Sequence, residues 1–328
     1  IALWDAPRQR LLLVRDRLGK KPLYFARSGD AFIFGSELKA LVAWPGFDRT
    51  PDLAAIHQYF TYQYISAPHS GFACASKLPP AHKLVIERRG DSWRVGEPQR
   101  YWSLPSPTSR PASAFDPRAE EERLVGLLKE SIRLRVIADV PLGAFLSGGV
   151  DSSAVVALMA DQSPRPIKTF SIGSPYPEYD ETKYARYGTD HEEVVLEAKA
   201  ADILEKLVWH FSEPFADASM IPTYYVSEIA RRRVTVALNG DGGDEAFLGY
   251  PRYDTVRRLA ADIDPAAGRQ GLARDSERYA FTVVSMSDDQ KSSGYGDKMR
   301  GFLDRSSLDL LDPYFDQSPD FVSGANWA

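Results

Sequence analysis

The sequence has 328 residues, of which 44% are hydrophobic and 26% are charged, values typical of a soluble globular protein with room for two domains. The formal net charge of −5 argues against nucleic acid as the main partner, and no apolar run reaches the ~18–20 residues that span a bilayer. The single cysteine, Cys74, excludes a disulfide framework within the chain and, with no signal peptide in view, favours a cytoplasmic location. Because the first residues lack a methionine and read as the middle of a strand, we expect the sequence to continue before Ile1.

Short apolar runs separated by turn residues fill the first 35 positions and predict antiparallel hairpins. Two helices are expected next, one with Ser36 as its N-cap and one entered through Pro51. The stretch that follows Lys83 reads as another hairpin, whose turn is Arg-Gly-Asp. Residues 104–117 are rich in proline and serine and cannot form a regular element, so we predict a linker there.

After the linker the pattern changes to strands that alternate with helices. The first helix carries apolar residues at helical spacing and has an acidic first turn. Buried strands then end near Leu146, Ile172 and Leu238, and a mostly helical, polar tail begins near residue 255. This alternation predicts a parallel sheet with helices on both faces, in which ligands bind beyond the carboxyl ends of the strands. The apolar positions of the first helix are Leu124, Leu127, Leu128 and Ile132.

The first of two glycine-rich loops, Leu146–Ser153, joins a buried strand to a helix. Its glycines permit a tight turn, and its serine hydroxyls and the unpaired amides of the helix favour an anion such as phosphate. Asp151 would repel a bare phosphate, so its presence indicates a Mg²⁺ ion between the carboxylate and the phosphate. The alternative is an ordinary turn in which Asp151 only caps the helix.

The second loop, NGDGGDE, follows another buried strand. Three carboxylates, those of Asp241, Asp244 and Glu245, fall within five residues and repel one another unless a cation is present. A Mg²⁺ ion shared with Asp151 would relieve that repulsion, whereas the alternative is a solvated acidic turn. Since both loops follow predicted parallel strands, we expect them to meet at one edge of the sheet.

Several motifs occur in the order of one known family. LSGGVDSS resembles the pyrophosphate loop of ATP pyrophosphatases and lacks the lysine of a Walker A motif. Together with FSIG, YGTDHEE, EPFADASMIPTYYVS and NGDGGDEAFLGYPRY, it resembles glutamine-hydrolysing asparagine synthetase. DRLGKKPLYFA, FGSELKAL, KLPPAHKLVI and RYWSL resemble the second half of that family's class II glutamine amidotransferase domain.

The resemblance implies two domains of different architecture. Residues 1–104 would be the C-terminal part of an antiparallel amidotransferase domain of the Ntn-hydrolase α+β type. Residues 105–328 would be a synthetase domain of the ATP-pyrophosphatase type, an α/β fold with a parallel doubly wound sheet.

The resemblance also implies a set of site residues. Asp151 and Asp244 would hold Mg²⁺, and Asp241 stands where the family places an acid near the substrate amine, so these three are the implied catalytic residues. Asn239 stands where the family has a serine, so the serine's hydroxyl contact is not retained. The residues implied to contact ATP are Leu146, Ser147, Gly148, Gly149, Val150, Asp151, Ser152, Ile172, Asn239 and Gly240.

The implied reaction is ATP-dependent amide formation. The side-chain carboxylate of aspartate attacks the α-phosphorus of ATP, pyrophosphate leaves, and ammonia from glutamine displaces AMP to give asparagine. Two alternatives stay open: an amide-forming enzyme with another carboxylate acceptor, such as one like β-lactam synthetase that closes a ring, and an inactive nucleotide-binding module. The expected partners are small molecules, with no nucleic acid or membrane, and a homodimer is compatible with the resemblance.

The sequence departs from the family in three places. It has no N-terminal cysteine nucleophile, and Cys74 matches no family position and is expected to be a packed thiol, so the chain as given is not expected to hydrolyse glutamine. The family has several more residues between Arg186 and Tyr187, so we expect residues to be missing there. The family's C-terminal helices are not recognisable after about residue 290, and the acceptor pocket is therefore expected to be incomplete.

Overall fold

The computed structural model describes residues 1–90, 92–104, 115–173, 189–195, 200–261, 279 and 282–303. The chain forms two compact units. The first comprises the described parts of Ile1–Pro107, Glu205–Asp217 and Ile263–Ala328, and the second comprises those of Thr108–Leu204 and Ala218–Asp262. The domain limits 1–104 and 105–328 stay a prediction. The predicted linker lies mostly outside the described residues, and the junction between Arg186 and Tyr187 lies wholly outside them.

Antiparallel strands dominate the first unit, as the hairpin spacing predicts. In the described residues, one sheet has the order β1-β2-β6-β7, with β8 also pairing with β6, and another has the order β4-β3-β5. Leu13 pairs with Leu84, and both are fully buried because they face the core side of their strands. The strands are β1 Ala2–Asp5, β2 Arg10–Val14, β3 Tyr24–Ser28, β4 Ala31–Gly35, β5 Ala75–Lys77, β6 His82–Arg89, β7 Ser92–Val95 and β8 Gln99–Arg100.

Two helices of the first unit begin one residue away from the predicted caps. Helix α1 spans Leu38–Val42 with Glu37 as its N-cap, so the prediction of Ser36 is wrong. Helix α2 spans Leu53–Tyr62, and the Asp52 carboxylate accepts hydrogen bonds of 3.0 Å from the first-turn amides. The helix is therefore entered through a capping aspartate rather than through Pro51, because the carboxylate satisfies amides that proline cannot.

A buried ion pair fixes the segment Glu205–Asp217 within the first unit. Lys77, which is 7% exposed, pairs with Glu213 and also donates to the carbonyl oxygen of Ile65. The Tyr24 hydroxyl donates to the same Glu213 oxygen at 2.9 Å. Burial lowers the pKa of Lys77 although the Glu213 carboxylate opposes this, and burial together with Glu213 raises the pKa of Tyr24. The pair is consequently held in a site where neither charge is well hydrated.

Replacing Lys77 with methionine is expected to destabilise the first unit by about 3–5 kcal/mol, because the Glu213 carboxylate stays buried without its cation. The local consequence is a loosened segment. The measurement is hydrogen exchange at the amide of Ala216, which donates to the carbonyl oxygen of Gln63 at 2.9 Å. This amide is expected to exchange faster in the Lys77 variant than in the unmodified protein.

The matched control is Lys129→Met. Lys129 pairs with Asp161 at 2.6 Å, but both side chains are about half exposed, so this pair contributes less than about 1 kcal/mol. An Ala216 amide that exchanges at the same rate in the Lys77 variant and the control would mean that other contacts hold the segment.

The second unit contains the predicted parallel sheet. In the described residues its strand order is β11-β10-β9-β12, and every neighbouring pair is parallel, which confirms the α/β fold class. The strands are β9 Leu142–Phe145, β10 Lys168–Gly173, β11 Asp190–Val195 and β12 Val236–Leu238. Further helices in the described residues include α3 Pro117–Arg135, α4 Val150–Ala160, α5 Ala200–Phe211, α6 Met220–Arg231, α7 Gly243–Phe247, α8 Pro251–Ala261, α9 Asp288–Gly294 and α10 Asp297–Arg300.

Successive side chains of each strand point to opposite faces of this sheet. Apolar side chains therefore lie on both faces, and helices cover both of them. Ala144 of β9 faces a cluster that includes Ile132 of α3 and Met159 of α4. Its neighbour Phe145 points to the opposite face, where Phe170 packs against residues of α6. The strands are therefore buried on both sides, and their carboxyl ends are the edge at which loops can bind a ligand.

Helix α3 forms where the spacing predicts, but its apolar face is only partly buried. Ile132 is almost fully buried, whereas Leu124 is 38% and Leu127 is 60% exposed. The apolar spacing therefore coincides with burial only in the C-terminal half of the helix. In the part of the chain that the structure describes, no helix is both long enough and apolar enough to cross a membrane.

Candidate functional site

The loop between β9 and α4 leaves the first turn of a helix open. The strand ends at Phe145 and the helix begins at Val150, close to the predicted boundaries. Gly148 adopts a φ of +94°, a conformation that residues with a Cβ rarely adopt. Gly149 is the N-cap and no side chain caps the helix, so its first amides are available to an anion.

The serines of this loop have different roles. The Ser147 and Ser152 hydroxyl oxygens lie 3.0 Å apart, and the Gly149 amide donates to the Ser147 oxygen at 3.2 Å. Ser152 is buried and its hydroxyl donates to the Gly149 carbonyl oxygen at 3.2 Å, so it stabilises the turn. Ser147 is exposed, and its hydroxyl is therefore the one that a ligand can reach.

The second loop lies directly against the first. A Cβ added to Gly240 would be 2.8 Å from the backbone nitrogen of Ser152 and 3.0 Å from the Cβ of Asp151. A Cβ added to Gly243 would be 2.6–2.7 Å from the two carboxylate oxygens of Asp151. Glycine is required at position 240 because an added Cβ would meet backbone there, whereas at position 243 it would meet the end of the Asp151 side chain, which would have to move. The structure therefore brings the two predicted loops together at the carboxyl ends of β9 and β12.

The four acids of the two loops fall into two pairs. Asn239 donates from Nδ2 to Oδ2 of Asp241 at 2.5 Å, and the Tyr250 hydroxyl donates to Glu245 at 3.0 Å. Burial, together with Glu245, raises the pKa of Tyr250 to about 12. These two acids thus each have a neutral donor.

The other pair, Asp151 and Asp244, is open. Within the described residues neither carboxylate has a hydrogen-bond or ion-pair partner. Asp244 lies against Gly249, where an added Cβ would collide with its carboxylate. The described part of the chain contains no group of three or more His, Cys, Asp or Glu side chains arranged to hold a metal by themselves. Mg²⁺ is usually held by one or two carboxylates together with substrate phosphates, so a site for this ion needs no larger group of acids.

The remaining predicted nucleotide contacts differ in accessibility. Val150 is 86% exposed at the start of α4. Leu146 is 4% exposed; its amide donates to the Phe170 carbonyl oxygen at 3.0 Å and its own oxygen accepts from Ser171. Ile172 is half-buried beside Phe170. Leu146 and Ile172 therefore support the strand ends, and their contact with a nucleotide stays a prediction.

Sequence reasoning missed the partners that order the acids. Tyr250 was not singled out, although an aromatic residue five positions after Glu245 was visible in the sequence. The Arg252 guanidinium lies 4.1 Å from the centre of the Tyr250 ring and stacks on it. Leu248 has a φ of +59°, an unfavourable conformation for a leucine, which turns the chain back toward Asp244.

Cys74 lies in the first unit. It is half-buried beside the core cluster that contains Tyr24, and its thiol donates to the Asp48 carbonyl oxygen at 3.1 Å. Burial raises the pKa of this thiol, so less of it is present as the reactive thiolate.

Comparison with known families is consistent with this arrangement. Residues 123–314 match the asparagine synthase family, and residues 1–102 match a glutamine amidotransferase domain. The chain belongs to the asparagine synthase family. The first match contains both glycine-rich loops and the second contains the antiparallel sheets, in the order that the sequence motifs predict.

Three proteins similar to this asparagine synthase family chain are assigned as asparagine synthetases. A protein of Methanocaldococcus jannaschii, assigned as a glutamine-hydrolysing asparagine synthetase, is 36% identical over 83% of this chain and 54% of its own length. An asparagine synthetase of Bacillus subtilis is 33% identical over 76% of this chain and 39% of its own. One assigned in Mycobacterium tuberculosis is 30% identical over 99% and 48%. The chain thus spans about half the length of the curated relatives it matches.

Proposed function

We propose that the full-length protein is a glutamine-hydrolysing asparagine synthetase, which adenylates the side-chain carboxylate of aspartate and then transfers ammonia to it. The observation that carries the proposal is the close approach of Gly243 to the carboxylate of Asp151. It joins an anion-binding helix start to a cluster of acids at the edge where parallel sheets bind ligands.

ATP would bind with its phosphates over the first turn of α4. The open amides, the exposed Ser147 hydroxyl and the side-chain-free Gly148 and Gly149 favour a polyphosphate there. Asn239 and Gly240 would line the nucleotide from the second loop. The dipole of the eleven-residue helix adds attraction for negative charge at this end.

Asp151 and Asp244 would hold Mg²⁺. They are the acids of the two loops that have no hydrogen-bond or ion-pair partner within the described residues, and their oxygens are the donors this ion prefers. When bound, the ion would neutralise charge on the phosphates and so favour nucleophilic attack on them.

The chemistry has two balanced steps. In the first, a carboxylate oxygen of aspartate bonds to the α-phosphorus of ATP while the bond to the bridging oxygen breaks and pyrophosphate leaves. In the second, the ammonia nitrogen bonds to the acyl carbon, the bond to the AMP oxygen breaks, and one proton leaves the nitrogen. The first amides of α4 would stabilise the charge developing on the phosphates, and Asp241 would contact the amine and accept its proton.

Glutamine is the proposed source of ammonia. The match of residues 1–102 to a glutamine amidotransferase domain supports this. Cys74 would not serve as the nucleophile, because its thiol is occupied by a hydrogen bond and is packed beside the core.

The test measures the two steps separately on the full-length protein. Exchange of labelled pyrophosphate into ATP is followed with Mg²⁺ and each candidate amino acid, and amide formation is then followed with ammonia or glutamine. We expect pyrophosphate exchange to depend on aspartate. We also expect glutamine to be able to replace ammonia in amide formation. Exchange with a different acid would replace aspartate as the acceptor, and no exchange with any amino acid would favour an inactive nucleotide-binding module.

A further inference from the structure

We propose that Asn239 is a positioning residue for Asp241 and, through it, for the incoming amine. The inference rests on the proposed function, in which Asp241 contacts that amine. Asn239 stands where the family that the chain resembles has a serine, and the side chain of serine is one bond shorter than that of asparagine.

The backbone of Asp241 is fixed on both sides. The residue before it, Gly240, lies against the backbone nitrogen of Ser152. The residue after it, Gly242, turns the chain with a φ of +94°, and Gly243 then meets the carboxylate of Asp151. The Cα of Asp241 is consequently held in place relative to the loop that would bind the phosphates.

The side chain of Asp241 is fixed by Asn239. The amide Nδ2 donates to Oδ2 at 2.5 Å, a hydrogen bond to a charged acceptor, which is stronger than one between neutral groups. Within the described residues Oδ1 has no hydrogen-bond partner, so it is the oxygen that can accept from an amine. Because the donor is neutral, the carboxylate is oriented while its charge is retained.

This hydrogen bond also gives Asp241 a different environment from the two acids that would hold the cation. Glu245 is held in the same way by the Tyr250 hydroxyl, whereas Asp151 and Asp244 are open within the described residues. Without its donor, Asp241 would be free to rotate its carboxylate toward the positive charge instead of the amine. Asn239 therefore acts on the amine step more than on adenylation.

The test compares the two half-reactions of the full-length protein. In Asn239→Ala, the rate of amide formation at low ammonia, divided by the rate of pyrophosphate exchange, is expected to fall about tenfold, because a hydrogen bond to a charged group is lost. Any change in ATP binding affects both rates and cancels in the ratio. The lower rate of amide formation is expected to come from a higher KM for ammonia. A merely structural role would lower both rates together.

Three further variants make the test specific. Asn239→Asp keeps the shape but replaces the donor with a like charge, and a larger fall is expected. Asn239→Gln keeps the amide and is expected to recover part of the ratio. Tyr250→Phe removes the other neutral donor of the loop and is expected to keep the wild-type ratio.

The outcomes separate the inference from the function on which it rests. A wild-type protein active in both half-reactions, with an unchanged ratio in Asn239→Ala or an equal fall in Tyr250→Phe, overturns the inference alone. A wild-type protein without aspartate-dependent exchange overturns the proposed function and the inference together.

Discussion

Replacing Gly243 with alanine is expected to lower aspartate-dependent pyrophosphate exchange by about 10²–10³-fold, the size of effect seen when one preorganised charge-stabilising contact is lost. The added methyl group would lie 2.6–2.7 Å from both carboxylate oxygens of Asp151, closer than real Cβ contacts come. Because those oxygens are at the end of a flexible side chain, the carboxylate would move while the fold stays intact. The measurement is exchange at saturating ATP, with circular dichroism to confirm folding.

The control for this glycine is Gly126→Ala. Gly126 lies within α3, where an added Cβ meets nothing within 4 Å, so exchange is expected to be unchanged. The helix should be stabilised by about 1 kcal/mol, because alanine is the better helix former. Full exchange activity in both alanine variants would mean that the contact between the two loops is not needed for adenylation.

Replacing Asp151 with asparagine is expected to lower exchange by at least about 10²-fold, because the proposed Mg²⁺ site would lose one of its two carboxylate charges. The side chain keeps its size, so its packing over Gly243 is retained. The Mg²⁺ concentration for half-maximal exchange is expected to rise, which a loss of ATP contacts alone would not produce. Titration of Mg²⁺ at fixed ATP measures this shift.

The matched variant is Asp161→Asn at the opposite end of the same helix. Asp161 is more than half exposed and pairs with the half-exposed Lys129, so its loss should change stability by less than about 1 kcal/mol and leave the Mg²⁺ dependence unaltered. Equal behaviour of the two asparagine variants would exclude a direct role for Asp151 in holding the ion.

The fold could be predicted from the sequence because its periodicities are local. Alternating strands and helices predict the parallel sheet, and apolar runs between turns predict the hairpins. The spacing of apolar residues does not identify the residue that caps a helix. The N-cap of α2 is Asp52, whereas the sequence predicted entry through Pro51. Nor does it decide how much of a helix face is covered, which is why Leu127 of α3 is exposed despite its position in the apolar pattern.

The site could be predicted only as a set of residue types. Two glycine-rich loops with acids indicate phosphate and metal chemistry, and the structure brings those loops together. The donors of Asp241 and Glu245 come from side chains two and five residues away and depend on how the second loop turns, whereas the approach of Gly243 to Asp151 depends on two strands about ninety residues apart in the sequence. The pair between Lys77 and Glu213 was equally hidden, since isolated charged residues are usually exposed.

The seating of Glu205–Asp217 in the first unit bears on how this polypeptide can be divided by genetic truncation. A fragment starting after residue 115 would retain Glu213 and lose Lys77 and Tyr24, the two side chains that neutralise and cap it. The orphaned carboxylate would then be drawn into solvent, carrying with it the stretch that leads into α6. We therefore expect a cut at the proline-rich stretch to separate the two family matches and yet leave Glu213 without its partners in the second fragment.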